Sequence, residues 1–243
     1  MEVIESIILG AVQGLTEFLP VSSSGHLQLA KELLGVELEE NLTFDVALHA
    51  ATVLSTIVVL WHEIAGIFRG LFTRGMNDEK AYILKLIISM IPIGIVGFVL
   101  KDQIDAVLAS DYVMVVVGGM LLLTATLLTF AYYAKPRQRD AISYRDAFII
   151  GVAQAVAAMP GLSRSGSTIL GSMMLGLSRG AAAEFSFFLA IPVMLGASLL
   201  KIVKNFSEVL AFGVEWVYLL TGFAVAFAVS MLCIKFLMNF VKK

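Results

Sequence analysis

The 243 residues are 59% hydrophobic and 15% charged, with a mean hydropathy of +0.91 and a net charge of −2. A soluble domain carries about 25% charged residues, so composition excludes a soluble globule, and the lack of a basic patch with interleaved aromatics excludes nucleic acid as a partner. Cys233 is the single cysteine, which excludes an intramolecular disulfide.

The chain opens Met1-Glu2-Val3-Ile4-Glu5, acidic where a cleaved leader is basic, so the first helix is expected to be retained. Residues 6–19 form an apolar stretch of 14 residues, roughly 21 Å at helical rise and short of a hydrocarbon core of roughly 30 Å. Pro20 and Ser22-Ser23-Ser24-Gly25 follow, then a second short apolar helix near 26–35. Apolar runs at about 43–62, 82–100 and 112–134 are each long enough to cross a bilayer. Residues 146–159, the turn Pro160-Gly161-Leu162-Ser163-Arg164-Ser165-Gly166 and residues 168–177 repeat the opening pattern. Further spans are expected at 182–200 and 216–234. The fold class is therefore an all-α polytopic membrane protein, one domain over 1–243 with about five full spans.

Lys and Arg in short loops set orientation. Arg69, Arg74 and Lys80 follow the first span, Lys135, Arg137, Arg139 and Arg145 follow the third, and Lys242 and Lys243 end the chain. The loop between them is acidic, with Asp102, Asp105 and Asp111. The basic ends are expected in the cytoplasm, with Met1 and the acidic loop outside.

Residues 8–35 slide onto 149–176 without a gap, with nine identities in 28 positions. Ser22, Ser24 and Gly25 meet Ser163, Ser165 and Gly166, while Glu17 faces Ala158, Ser23 faces Arg164 and His26 faces Ser167. The internal repeats run approximately 1–135 and 143–243. Three spans separate the copies, so the two re-entrant hairpins are expected to enter from opposite faces, as in inverted-topology repeats. Irregular backbone at that depth needs a protein-lined or wet setting. Each Ser-Gly turn opens a short helix, and two converging helix N-termini make an anion site.

Arg164, costly at membrane depth, needs an anion or carboxylate nearby. Its planar fork suits phosphate, and the plain alternative is a structural arginine neutralised by Glu17. Gln13 and Glu17 share a helix face at i and i+4. Beside a phosphate, the pair reads as ligands for Mg²⁺ or Ca²⁺, with Glu17 as general base a second role and a buried hydrogen bond a third. His26 or Ser23 could serve as the nucleophile in phosphoryl transfer, and the residues do not choose between them. Asp45, His49 and Glu184 are ionisable groups within spans, expected to support the site from behind. His62 is expected at the membrane interface. A lipid-phosphate transporter built on the same cavity is the competing function, but it would need the arginine and not the cluster of Glu17, Ser23 and His26.

The run Gln13-Gly14-Leu15-Thr16-Glu17-Phe18-Leu19-Pro20-Val21-Ser22-Ser23-Ser24-Gly25-His26 resembles the (E/Q)xxxE and Ser-rich Gly-His signature of the BacA/UppP family, the undecaprenyl-diphosphate phosphatases. Pro160-Gly161-Leu162-Ser163-Arg164-Ser165-Gly166-Ser167-Thr168 resembles its second motif, and Phe44-Asp45 through His49 and Glu184 to Phe187 also match. The resemblance spans essentially the whole chain. It implies a bacterial plasma-membrane enzyme with its site toward the outer face, which hydrolyses undecaprenyl diphosphate, recycles the lipid carrier for peptidoglycan and confers bacitracin resistance. Under it, Glu17 is the metal-linked acid, Ser23 and His26 are catalytic candidates and Arg164 clamps phosphate. Ser22, Ser24, Gly25, Ser163, Ser165, Gly166 and Thr168 line the diphosphate site. Gln13 takes the motif's first acidic position without its charge. The family pattern also has one more hydrophobic helix beyond the fifth span. Membrane lipid is the surrounding partner, and a homodimer is carried as an open expectation.

Overall fold

The computed structural model describes residues 2–36, 42–133, 139–204 and 216–241. Met1, Lys135, Arg137, Lys242 and Lys243, on which part of the orientation argument rests, lie outside the described residues. Eleven helices occur among those described: α1 (Val3–Thr16), α2 (Ser23–Leu34), α3 (Leu42–Val59), α4 (Trp61–Leu71), α5 (Asp78–Val99), α6 (Lys101–Leu108), α7 (Val113–Tyr133), α8 (Tyr144–Val156), α9 (Arg164–Met174), α10 (Arg179–Lys204) and α11 (Trp216–Val241).

Helices α5, α7, α10 and α11 are long and apolar enough to cross a membrane. The expected first span, 43–62, is instead a broken one, since α3 and α4 meet at 78°. Trp61, His62, Glu63 and Arg69 of α4 are exposed. Arg69 therefore sits on a helix rather than in a loop. The acidic segment after α5 is likewise partly helical, as α6.

The two short hairpins form as expected, with α1 packed on α2 and α8 on α9. Their second arms begin earlier than the apolar pattern suggests. Ser22 and Ser163 each accept a hydrogen bond from the amide three residues on, at 3.3 and 3.0 Å. These N-caps start α2 at Ser23 and α9 at Arg164, so both polar motifs ride on the first turn of a helix. Both arms end at glycines with positive φ, Gly35 at 67° and Gly176 at 93°. On the other arm, α8 opens with a reciprocal cap between Ser143 and Asp146, and Arg139 pairs with Asp146 at 3.0 Å.

Packing is reciprocal between the halves. The first arm α1 packs on α11, and the first arm α8 packs on α5. Aligned glycines allow the close approach: a Cβ on Gly10 would stand 2.6 Å from the Gly222 oxygen, and one on Gly151 would stand 2.4 Å from the Ser89 oxygen. Ser89 also donates to the Ala147 oxygen at 2.7 Å. Apolar clusters lock the hairpins in place. Leu9 and Leu27 pack with Phe44, Leu48 and Ala226, and Ala147 and Ile150 pack with Phe185 and Leu189. Phe18, next to Glu17, meets Phe187 of α10 edge-on at 5.7 Å.

Candidate active site

The two hairpin tips meet. A Cβ on Gly25, in the first turn of α2, would lie 3.0 Å from Gly161 Cα in the second tip. Ser165 Oγ donates to the Glu17 backbone oxygen at 3.1 Å. Between the tips sits the Glu17 carboxylate, buried at 5% exposure. Its Oε1 accepts from Arg164 Nη2, while its Oε2 accepts from Ser23 Oγ at 2.5 Å and Gln13 Nε2 at 2.9 Å. Donors separated by about 150 residues of chain thus share one carboxylate. A buried carboxylate is tolerated only when paired and hydrogen-bonded in this way.

Burial and bonding divide the remaining expected residues. Ser24 is exposed, and its hydroxyl stands 3.3 Å from that of Ser22. His26 is half-buried, one helical turn beyond Ser23, with Nδ1 2.9 Å from the Ser22 oxygen. A carbonyl can only accept, so Nδ1 is the donor in this contact. Ser163 and Thr168 build the wall of the site and do not face it with free hydroxyls. Ser163 Oγ is engaged by the Gly166 amide, and Thr168 Oγ1 is bonded to Ser186 Oγ of α10 at 2.7 Å and to the Arg164 oxygen at 3.0 Å. What the two helix starts offer an anion is backbone: the first amides of α2 and α9, at Ser23, Ser24, Arg164 and Ser165, have no partner within their helices.

The three supporting residues separate. Asp45 and His49 lie together on α3. His49 Nδ1 is held by the Asp45 backbone oxygen at 2.7 Å, and the Asp45 carboxylate pairs with Lys31 Nζ at 2.7 Å. Glu184 does not belong to this group. It lines a separate cavity of about 380 Å³ with Tyr82, Asp140 and Ser178. Two residues further along α10, Ser186 points the other way, toward Thr168, because two residues rotate a helix by about 200°.

Three contributors escape the sequence reading: Lys31, Ser186 and Thr124 of α7, whose hydroxyl bonds both Gly161 and Ser163. Lys31 leaves a trace as a charge in a helix end, buried at 3% exposure, and Ser186 lies in the matched run Glu184 to Phe187 without standing out from it. Thr124, one hydroxyl in a long apolar run, leaves no pattern to find.

Gln13 Oε1 is buried with no hydrogen-bond partner, next to the Glu17 carboxylate, an oxygen of the kind that Mg²⁺ takes beside phosphates and water. Among the described residues no group of three or more His, Cys, Asp or Glu side chains could hold a metal ion.

Residues 6–243 match the family model described as bacitracin resistance protein BacA. An undecaprenyl-diphosphatase of Bacteroides fragilis is 53% identical over 246 residues, covering 100% of this chain and 91% of its own length. The protein of the same name from Parabacteroides distasonis is 54% identical, covering 98% of this chain and 90% of its own. That from Persephonella marina is 43% identical, covering 100% and 91%.

Proposed function

The chain belongs to the BacA family, and from that membership we propose that it is an undecaprenyl-diphosphatase, releasing inorganic phosphate and undecaprenyl phosphate. The observation that carries this reading is the Glu17 carboxylate, which joins a nucleophile-bearing helix start to a phosphate-binding one.

The terminal phosphate takes the free amides of α2 and α9 together with the Arg164 guanidinium. As Arg164 turns to the phosphate, Glu17 loses its counter-charge and becomes a stronger proton acceptor. Ser23 Oγ, already donating to Glu17, transfers its proton there and attacks the terminal phosphorus. A bond forms between Ser23 Oγ and phosphorus, and the bridging P–O bond breaks, so undecaprenyl phosphate leaves. Water then attacks the serine phosphate, releasing inorganic phosphate and restoring the hydroxyl. His26 stands one turn from Ser23, where it would take a proton from the attacking water, while Glu17 returns its proton to Ser23 Oγ as the serine O–P bond breaks. Gln13 and Glu17 would hold a divalent cation, which when bound supplies charge neutralisation on the diphosphate.

The biological reading is recycling of the lipid carrier for cell-wall synthesis, with bacitracin resistance as a consequence. The enzyme works in the bacterial plasma membrane, with its N-terminus and site toward the outer face and its C-terminus in the cytoplasm, as the loop charges suggest. Its halves, 1–135 and 143–243, are inverted repeats, a reading supported by the reciprocal packing of α1 on α11 and α8 on α5.

The test is phosphate release from undecaprenyl diphosphate by purified protein in detergent, wild type beside Arg164→Ala. Release by wild type that vanishes in the variant supports the reading. Tight lipid-diphosphate binding with no release by folded wild type would favour a transporter instead.

A further inference from the structure

We propose that Thr124 of α7 is a positioning residue, fixing the second tip so that Arg164 and the free amides of α9 meet the phosphate. The proposal rests on the phosphatase reading above and deepens it.

Helix α7 belongs to neither hairpin. Most of it faces lipid, with Val115, Leu122 and Phe130 exposed, but Val117 and Thr124 form a buried stripe seven residues apart. That stripe touches both tips. The place of a Cβ on Gly161 lies 2.7 Å from the Val117 oxygen, and that on Gly25 lies 3.0 Å from Leu121 Cδ2.

The hydroxyl of Thr124 departs from its neighbours. Thr126 and Thr129, in the same helix, return their hydroxyls to the carbonyls four residues back, at 2.9 Å each. That is the ordinary local solution in an apolar helix. Thr124, only 3% exposed, instead donates across to the Gly161 oxygen at 3.1 Å and accepts from the Ser163 amide at 3.0 Å. One hydroxyl thereby satisfies two groups of an irregular backbone that has no water to turn to.

The consequence reaches the chemistry. Gly161 holds a φ of 89°, so the tip depends on its surroundings to keep its shape. Thr124 pins the chain on both sides of Leu162, directly before Ser163 caps α9. It consumes the Ser163 amide and leaves those of Arg164 and Ser165 as the donors open to an anion. The position of Arg164, one residue past the pinned amide, follows from the same contact.

The test compares Thr124→Val, which keeps shape but removes the hydroxyl, with Thr124→Ser, which keeps the hydroxyl, in the full chain. The expected result is a KM for undecaprenyl diphosphate about tenfold or more higher for Val, with Ser within about threefold of wild type, since small misplacements of a binding group cost orders of magnitude. Ser should unfold near the wild-type temperature and Val somewhat below it, since Val leaves two buried backbone groups unpaired; KM is compared on folded protein. A Val variant with wild-type kinetics overturns the proposal, as does equal impairment of Val and Ser. If Val does not fold, Thr124→Ala stands in, and an unchanged KM for the folded Ala variant overturns it too. If wild type hydrolyses nothing, the functional reading fails separately. Affinity for inorganic pyrophosphate then carries the comparison: weaker binding by Val but not Ser supports the role of Thr124, and equal binding overturns it.

Discussion

The two hairpin tips share a scaffold and divide the labour. The first tip carries the reactive groups Glu17, Ser23 and His26, and its unusual backbone falls on Ser22, at φ 71°, the non-glycine residue with positive φ among those described. The second tip carries the cation Arg164. Its positive φ falls on Gly161 instead, and its N-cap Ser163 is ordinary at φ −71°. The difference teaches that the tip with Glu17, Ser23 and His26 keeps a strained non-glycine residue, while the tip with Arg164 takes its positive φ on glycine. A non-glycine residue in such a region costs about 1–3 kcal/mol and persists where the surroundings impose it.

The largest expected effect comes from the first tip. Ser23→Ala should lower kcat by about 10⁴ or more if Ser23 is the nucleophile, with no phosphorylated protein trapped by acid quench. A phosphorylated intermediate that survives the substitution would shift the attack to His26. On the second tip, Arg164→Ala should lower kcat/KM by about 10³, and Arg164→Lys should recover only part of it because the planar fork is lost. His26→Ala is expected to cost about 10² in kcat and to flatten one limb of the pH–rate profile; an unchanged profile would remove its proton-transfer role. Gly161→Ala should cost about 3 kcal/mol of stability or more, the strain of a left-handed alanine plus a Cβ placed 2.7 Å from the Val117 oxygen, read from thermal unfolding in detergent. The smallest effect sharpens the cation reading. Gln13→Glu adds a charged ligand and should raise Mg²⁺ affinity, so that activity in wild type falls with less chelator than in the variant.

Much of this was legible in the sequence. The spans and the gap-free repeat follow from apolar period and polar identities, which are local. The meeting of Glu17 and Arg164 could be argued from the repeat, since its two copies differ in complementary charges. Other features depend on the third dimension. The break between α3 and α4 has no proline or glycine at Leu60 to announce it. Glu184 sits within a matched motif, yet helical rotation sends it away from Ser186 and into another cavity. Lys31 and Thr124 act across helices at long separation, and an isolated residue carries no sign of its distant partner.

The reciprocal packing of the hairpins has a consequence for how the protein is made. The seat of α1 is on α11, some 200 residues later in the chain. At about 5–20 residues per second, α1 waits roughly 10–40 seconds for its partner. During that interval Glu17 has neither Arg164 nor the α11 surface beside it. The nascent first half is therefore the natural client of an insertase or membrane chaperone, and ribosomes stalled before α11 should leave α1 open to cross-linking by lipid or by such a factor.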